Sequence, residues 1–249
     1  MKPVRILNGE FAPVTVRDTI EWARAWIRSG ERGYICTVNV AILMMMRSNP
    51  ELQRFVDRAS LVVADGQPLI WASRLQSTQL PERVTGMDLV DELCALSVEE
   101  GFGIYFLGAR QEVIDAAVGN LSQRHPGLRV SGIADGYFSW DEAPERARAV
   151  RESGAKLLIV GMGVPRQEQF IESQWEELGV PLAIPVGGSF EVMAGTARRA
   201  PLFVQRIGME WSFRLAQEPR RLWKRYLVTN TQFIFHLLKS TVSSGLGHR

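Results

Sequence analysis

Between residues 33 and 190 the chain alternates short apolar runs with longer stretches in which apolar residues recur every three or four positions. "YICTVNV" is the first apolar run and predicts a strand; "SLVVAD", "GIYFLG", "LRVSGIADGYF", "KLLIVGMG" and "PLAIPVGG" predict further ones. The segments between them read as helices. "PELQRFVDRA" has Asn49 as N-cap and Pro50 in the first helical position, and "GMDLVDELCALSVEE" stops at Gly101. "RQEVIDAAVGNLSQRH" follows the third strand, "DEAPERARAVRESG" has Asp141 as its cap, and "PRQEQFIESQWEELG" precedes the last strand. Such alternation, with nearly continuous apolar strands, predicts an α/β fold: a Rossmann-like parallel sheet covered by helices on both faces, with right-handed crossovers.

Ligands of such sheets bind outside the carboxyl ends of the strands. Those ends carry Thr37 and Asn39, Asp65-Gly66, Gly108, Asp135-Gly136-Tyr137, Gly161-Met162-Gly163 and Gly187-Gly188. The stretch "LVVADGQPLIW" places a carboxylate, Asp65, where an apolar strand breaks off. Asp-Gly is a common turn and Asp a common helix cap, so alone it reads as a turn. Beside Thr37 and Asn39 on a neighbouring strand end, it becomes a candidate base that accepts a hydroxyl proton.

After residue 195 the pattern changes. "APLFVQRIGMEWSFRLAQ" and "EPRRLWKRYLVTNTQFIFHLLKS" predict two helices, with Pro201 and Pro219 in first turns. The division expected is an α/β catalytic domain over 1–194 and a basic helical appendage over 195–249. Charge sharpens it: residues 195–249 hold ten Lys or Arg against two acids, a formal +8, and the remainder of the chain carries −6. In the appendage Arg220, Arg221, Lys224 and Arg225 interleave with Trp211, Phe213, Trp223, Tyr226, Phe233 and Phe235. This suits a helical pair packed by its aromatics, or an interfacial helix on anionic lipid. Nucleic acid is disfavoured by the acidic remainder.

With 249 residues, 46% hydrophobic and 22% charged, the chain is long and apolar enough for a sizeable core, and disorder is not expected over most of it. Cys36 and Cys94 lie in apolar contexts and read as buried free thiols of a reducing compartment. No signal peptide and no run of 18 apolar residues is visible. The three histidines are scattered, and neither CxxC nor Asp-x-Asp occurs, so no metal site and no cofactor is expected. "GMGVPR" lacks the third glycine of a dinucleotide fingerprint, having Arg166 instead, and reads better as a turn admitting a sugar nucleotide. A bound diphosphate would then need arginines and backbone amides. Arg83 in "LPERVTGMDL" is a candidate; a surface salt bridge with Glu82 or Asp88 is equally compatible with its spacing.

"TVN", "VVADGQPLIWASR", "PERVTGMDL", "YFLGA", "GYF", "LLIVGMGVPRQEQF", "PVGGSFEVMAGTARRAP" and "GMEWSFRLAQEPRRLWKRY", taken in order over roughly residues 4–227, resemble the WecG/TagA/CpsF glycosyltransferases. The "DGQPLIWASR" version is most similar to the exopolysaccharide branch. The resemblance implies an inverting, metal-independent transfer of a sugar from a UDP donor to a polyprenyl-diphosphate-linked glycan acceptor in surface polysaccharide synthesis. It assigns Asp65 as base, places Thr37, Asn39, Arg83 and Gln167 in the pocket, and sets Tyr137 near the nucleotide base. Glu191 stands where the family has Asp. Gly108, Gly163 and Gly187 complete the expected substrate site.

The same resemblance implies that the arginine-rich appendage closes the site and seats the enzyme on the bilayer, with Arg214, Arg220, Arg221, Lys224 and Arg225 facing the acceptor diphosphate or the membrane. The expected location is cytoplasmic, peripheral on the inner face of the plasma membrane, with homo-oligomerisation left open. N-acetylmannosamine, its uronic acid and glucose all fit as the sugar. Two alternatives stand beside this: a nicotinamide-dependent oxidoreductase on a Rossmann-like fold, and a non-catalytic membrane-docking protein.

Overall fold

The structure is a computed structural model. It describes residues 2–217 and 219–246, without the side chains at 202, 206, 221, 224–226 and 241–246. A hairpin, β1 (Val4–Ile6) and β2 (Gly9–Phe11), precedes α1 (Val16–Ser29). There follow β3 (Gly33–Val38), α2 (Val40–Ser48), α3 (Pro50–Asp57), β4 (Leu61–Ala64), α4 (Gln67–Ser73) and α5 (Gly86–Glu100). Then come β5 (Ile104–Gly108), α6 (Gln111–Arg124), β6 (Val130–Ala134), α7 (Ala143–Glu152), β7 (Leu157–Gly161), α8 (Arg166–Ser173), α9 (Trp175–Leu178), β8 (Leu182–Pro185) and α10 (Ser189–Met193). Last are α11 (Leu202–Arg206), α12 (Glu210–Gln217) and α13 (Pro219–Leu246).

The six strands expected from the apolar runs form one sheet in the order β4-β3-β8-β7-β5-β6, every neighbouring pair parallel. Alternate residues face opposite sides, as strand geometry requires. Tyr34, Cys36 and Val38 of β3 join Tyr105, Leu107, Leu158 and Val160 under α2, α3, α7 and α8. Ile35 joins Phe106, Ile159, Leu182 and Ile184 under α1, α5, α6 and α10. Both faces are therefore covered, which is why the strands read as unbroken apolar runs.

Local signals set several helix ends. Asn49 accepts the amides of Glu51 and Leu52 ahead of Pro50, and Gly101 ends α5 in the left-handed region at φ 72°. Three expectations need correction. Asp141 is not the cap of α7: it lies inside a 3₁₀ turn over Trp140–Glu142, with Ser139 in the cap position, its amide held by the Glu142 carboxylate. "PRQEQFIESQWEELG" forms two helices, α8 and α9, not one. The first tail helix is also split, into α11 and α12, by a turn at Ile207–Gly208 that packs against Gln67 and Trp71 of α4. The last helix, α13, lies along α2, and its Phe233 enters the core. The α11–α12 segment thus reaches the carboxyl edge of the sheet.

Candidate functional site

A cleft with about 1160 Å³ of atom-free space, partly open to solvent, lies at the carboxyl ends of β3, β4, β7 and β8. The chain leaves β3 outward to β4, while β8 and β7 lie on its other side, so the cleft sits where successive connections diverge.

Asp65 follows the last residue of β4. Its amide donates to the Val38 carbonyl at 2.9 Å, which fixes its backbone to the end of β3. Gly66 then turns the chain into α4 at φ 151°, a conformation side chains avoid. The cap position of α4 is Gly66, without a side-chain cap bond, so Asp65 is not a helix cap. Its carboxyl lines the cleft and receives no hydrogen bond among the described residues. Burial pushes its pKa up to about 6; Glu210 and Asp88 push the same way, and Arg83 and Arg214 oppose them. At neutral pH the group is ionised yet basic enough to take a proton.

The Val84 amide donates to the Ala64 carbonyl at 2.9 Å, which sets Arg83 next to the strand that carries Asp65. Neither Glu82 nor Asp88 pairs with Arg83. Its Nη1 donates to Glu210 at 2.5 Å and its Nη2 to Gln205 at 3.1 Å, both from the C-terminal segment. Arg214, one turn beyond Glu210 on α12, lines the same cleft. The cleft therefore gathers two arginines and two carboxylates.

The opposite wall is made by strand ends. Thr37 is buried, with its hydroxyl 3.4 Å from the Pro185 carbonyl. The Asn39 side-chain oxygen accepts the Ile42 amide and caps α2. Gln167 is buried; its Oε1 accepts the Gly187 amide and its Nε2 donates to Glu168. Gly163 and Gly187 line the cleft directly.

Other sequence candidates lie apart. Gly108 is outside the lining; a side chain there would meet the Gly161 carbonyl oxygen at 2.4 Å, so glycine allows β5 and β7 to approach. Tyr137 is also outside it, 75% exposed, with the Arg110 guanidinium 6.0 Å from its ring centre. Glu191 sits beside the cleft residue Gly188, and its Oε2 is buried with no hydrogen bond among the described residues. Arg220 is exposed on α13, and the side chains of Arg221, Lys224 and Arg225 lie outside the described residues. Sequence reasoning missed Glu210, Trp211 and Asn230, all cleft residues. Trp211 and Glu210 stood inside a quoted motif, "GMEWSFRLAQ", but nothing in its spacing showed that it reaches the sheet.

Among the described residues no three His, Cys, Asp or Glu side chains are grouped to hold a metal ion. Nor is any described helix long and apolar enough to cross a membrane. Large apolar side chains are nonetheless exposed on α11 (Phe203) and α13 (Trp223, Leu227, Ile234 and Leu238).

A family model described as "Glycosyl transferase WecG/TagA/CpsF family" matches residues 4–245. The chain is 30% identical over 193 residues to an N-acetylglucosaminyldiphosphoundecaprenol N-acetyl-beta-D-mannosaminyltransferase of Bacillus subtilis, covering 78% of this chain and 74% of that protein. It is 28% identical over 223 residues to the protein of that same description in Bacillus spizizenii, covering 90% and 85%.

Proposed function

Because the chain belongs to the WecG/TagA/CpsF family of glycosyltransferases, we propose that it moves a sugar from a UDP donor to a polyprenyl-diphosphate-linked glycan acceptor, with inversion and without a metal. The relatives' description makes N-acetylmannosamine the first sugar to try and an N-acetylglucosaminyl-diphosphate lipid the first acceptor. Family membership also replaces the oxidoreductase and non-catalytic readings.

The observation that carries the mechanism is Asp65: a raised, unpaired carboxyl in a cleft it shares with two arginines. One Oδ of Asp65 takes the proton of the acceptor hydroxyl. The freed oxygen pair attacks the anomeric carbon from the face opposite UDP, the carbon–oxygen bond to the diphosphate breaks, and UDP leaves with that electron pair. Arg83 and Arg214 offset the charge that gathers on the diphosphate. Thr37, Asn39, Gln167, Gly163 and Gly187 shape the wall against the donor. Glu191 and Tyr137 are assigned to the nucleotide end, and Gly108 supports that end by letting its strands close up. Residues 195–249 form the appendage that finishes the cleft and, through α13 with Arg220, Arg221, Lys224 and Arg225, rests on an anionic bilayer as a peripheral protein.

The test is a transfer assay with UDP-N-acetylmannosamine, its uronic acid and UDP-glucose against a short-chain polyprenyl-diphosphate N-acetylglucosamine. Mass spectrometry should show the acceptor gain one sugar from one of these donors, in the presence of a chelator. Wild-type turnover by a folded Asp65→Asn enzyme would remove the mechanism.

A further inference from the structure

Glu210 begins α12 and enters the cleft from a part of the chain far in sequence from Asp65. It is the partner Arg83 has taken, at 2.5 Å, with both side chains mostly shielded: 15% of Arg83 and 18% of Glu210 remain exposed. Gln205 holds the other arm of the same guanidinium. A guanidinium pairs preferentially with a carboxylate, through two parallel N–H donors where it can. Asp65 offers such a carboxylate in the same cleft and has no partner among the described residues. An Asp65 clasped by Arg83 would be a weaker base, because the paired guanidinium stabilises the ionised carboxylate and takes two of its lone pairs.

We propose that Glu210 is a positioning residue for the transfer: by keeping the Arg83 guanidinium engaged on α12, it leaves the Asp65 carboxylate unpaired and facing the cleft. The inference rests on reading Asp65 as the base. The charged groups bearing on Asp65 are Arg83 before α5, Asp88 within α5, and Glu210 and Arg214 on α12. Asp88 is already bound by the Thr85 hydroxyl at 2.7 Å and by Arg199 at 2.5 Å. Glu210 is thus the carboxylate that decides where Arg83 points. The base is then set only while α12 is seated, which ties the chemistry to the C-terminal segment.

The test follows the Asp65 carboxyl by carbon-13 NMR of aspartate-labelled protein, assigned from the signal lost in Asp65→Asn, alongside the pH dependence of kcat/KM. In Glu210→Gln, checked for folding by circular dichroism, the Asp65 midpoint and the acidic limb of kcat/KM should both fall by about one pH unit. The loss of rate at pH 7.5 should appear in kcat more than in KM. Glu210→Asp, which retains the charge, should titrate close to wild type. Arg83→Gln is the converse arm and should raise the midpoint, so the idea stays testable if Glu210→Gln does not fold. An Asp65 midpoint that is unchanged in Glu210→Gln or Arg83→Gln, or that falls as far in Glu210→Asp as in Glu210→Gln, overturns the proposal. The NMR titration needs no substrate. Absence of transfer from every UDP-sugar therefore counts against the enzymatic reading alone.

Discussion

The Gln167 side-chain oxygen accepts the Gly187 amide hydrogen at 2.9 Å, and so ties the first turn of α8 to the glycine turn that follows β8. The same side chain donates to Glu168 at 2.8 Å, and only 2% of Gln167 is exposed. Gln167→Leu would leave the half-buried Gly187 amide without its acceptor. It should cost about 1–3 kcal/mol, read as a shift of the urea unfolding midpoint. Because Gly187 lines the cleft, the KM for UDP-sugar should rise in the same variant. Unchanged stability and KM would show that the turn holds its shape without this bond.

Asp65 makes opposite predictions for activity and for stability. If Asp65 acts as the proposed base, it is needed ionised, so kcat/KM should fall as pH drops through about 6. Asp65→Asn should lower kcat by a factor of about 10²–10⁴ while UDP binding, followed by calorimetry, persists. The fold, however, favours the protonated carboxyl, because its folded pKa lies above the ordinary 3.8. The native state binds more protons than the unfolded chain between these values, so stability drops as pH rises from about 4 to about 6. Above that window Asp65→Asn should therefore be more stable than wild type, by up to about 3 kcal/mol, and below pH 4 the two should melt together. A variant that is less stable than wild type at pH 7.5 would mean that the charged carboxyl has partners the cleft does not show.

Two glycines assigned to the substrate site from sequence should separate cleanly. At Gly108, φ is 136° and an added methyl would meet the Gly161 backbone at 2.4 Å. Gly108→Ala should lose about 3 kcal/mol or more and fail broadly, in folding as well as turnover. At Gly163, φ is 79° and no atom lies within 4 Å of the added position. Gly163→Ala should cost about 1–2 kcal/mol from the left-handed backbone alone. Any larger loss of kcat/KM at that position would then report a ligand occupying the space, and thermal melts beside kinetics distinguish the two effects.

Much of this architecture could be read from the chain. Strands β3 to β8 were visible because burial on both faces removes polar interruptions, as in "KLLIVGMG". α2 was hidden by the same cause: "VAILMMM" is buried nearly all round, and a buried helix and a buried strand look alike in apolar content. The one local signal for this helix is Asn39, its cap, which also lines the cleft. α1 carries a capping box of Thr15 and Asp18, a short signal that precedes the first long apolar run and has no long apolar strand before it in sequence to frame it. The hairpin strands, three residues each, are too short to show alternation. In the cleft, Asp65, Thr37 and Asn39 were found together because β3 and β4 are neighbours in sequence and in the sheet. The meeting of Arg83 with Glu210 spans 127 residues and depends on where α12 lands, which no local pattern encodes.

The C-terminal helix gives the last prediction. Trp223, Leu227, Ile234 and Leu238 are all exposed on α13, at spacings of four, seven and four residues, so they form one stripe. Leu222, Thr229 and Phe233 are buried on its other side. A solvent-facing apolar stripe on a helix whose sequence carries Arg220, Arg221, Lys224 and Arg225 suits a helix lying in a bilayer interface, apolar side down. Two contributions then add and can be separated. Each cation near an anionic surface contributes about 1 kcal/mol and is screened over about 10 Å at 0.1 M salt. Each large apolar side chain contributes about 1.5–3 kcal/mol on burial and is insensitive to salt. Trp223→Ser with Leu227→Ser should therefore weaken vesicle binding at every salt concentration, on neutral and anionic lipid alike. Arg220→Glu with Arg221→Glu should weaken it on anionic vesicles only, and most at low salt. Flotation with phosphatidylcholine vesicles, with and without phosphatidylglycerol, reads both. If the serine pair floats like wild type while the charge reversal does not, the stripe faces something other than lipid, and the cations alone recruit the enzyme.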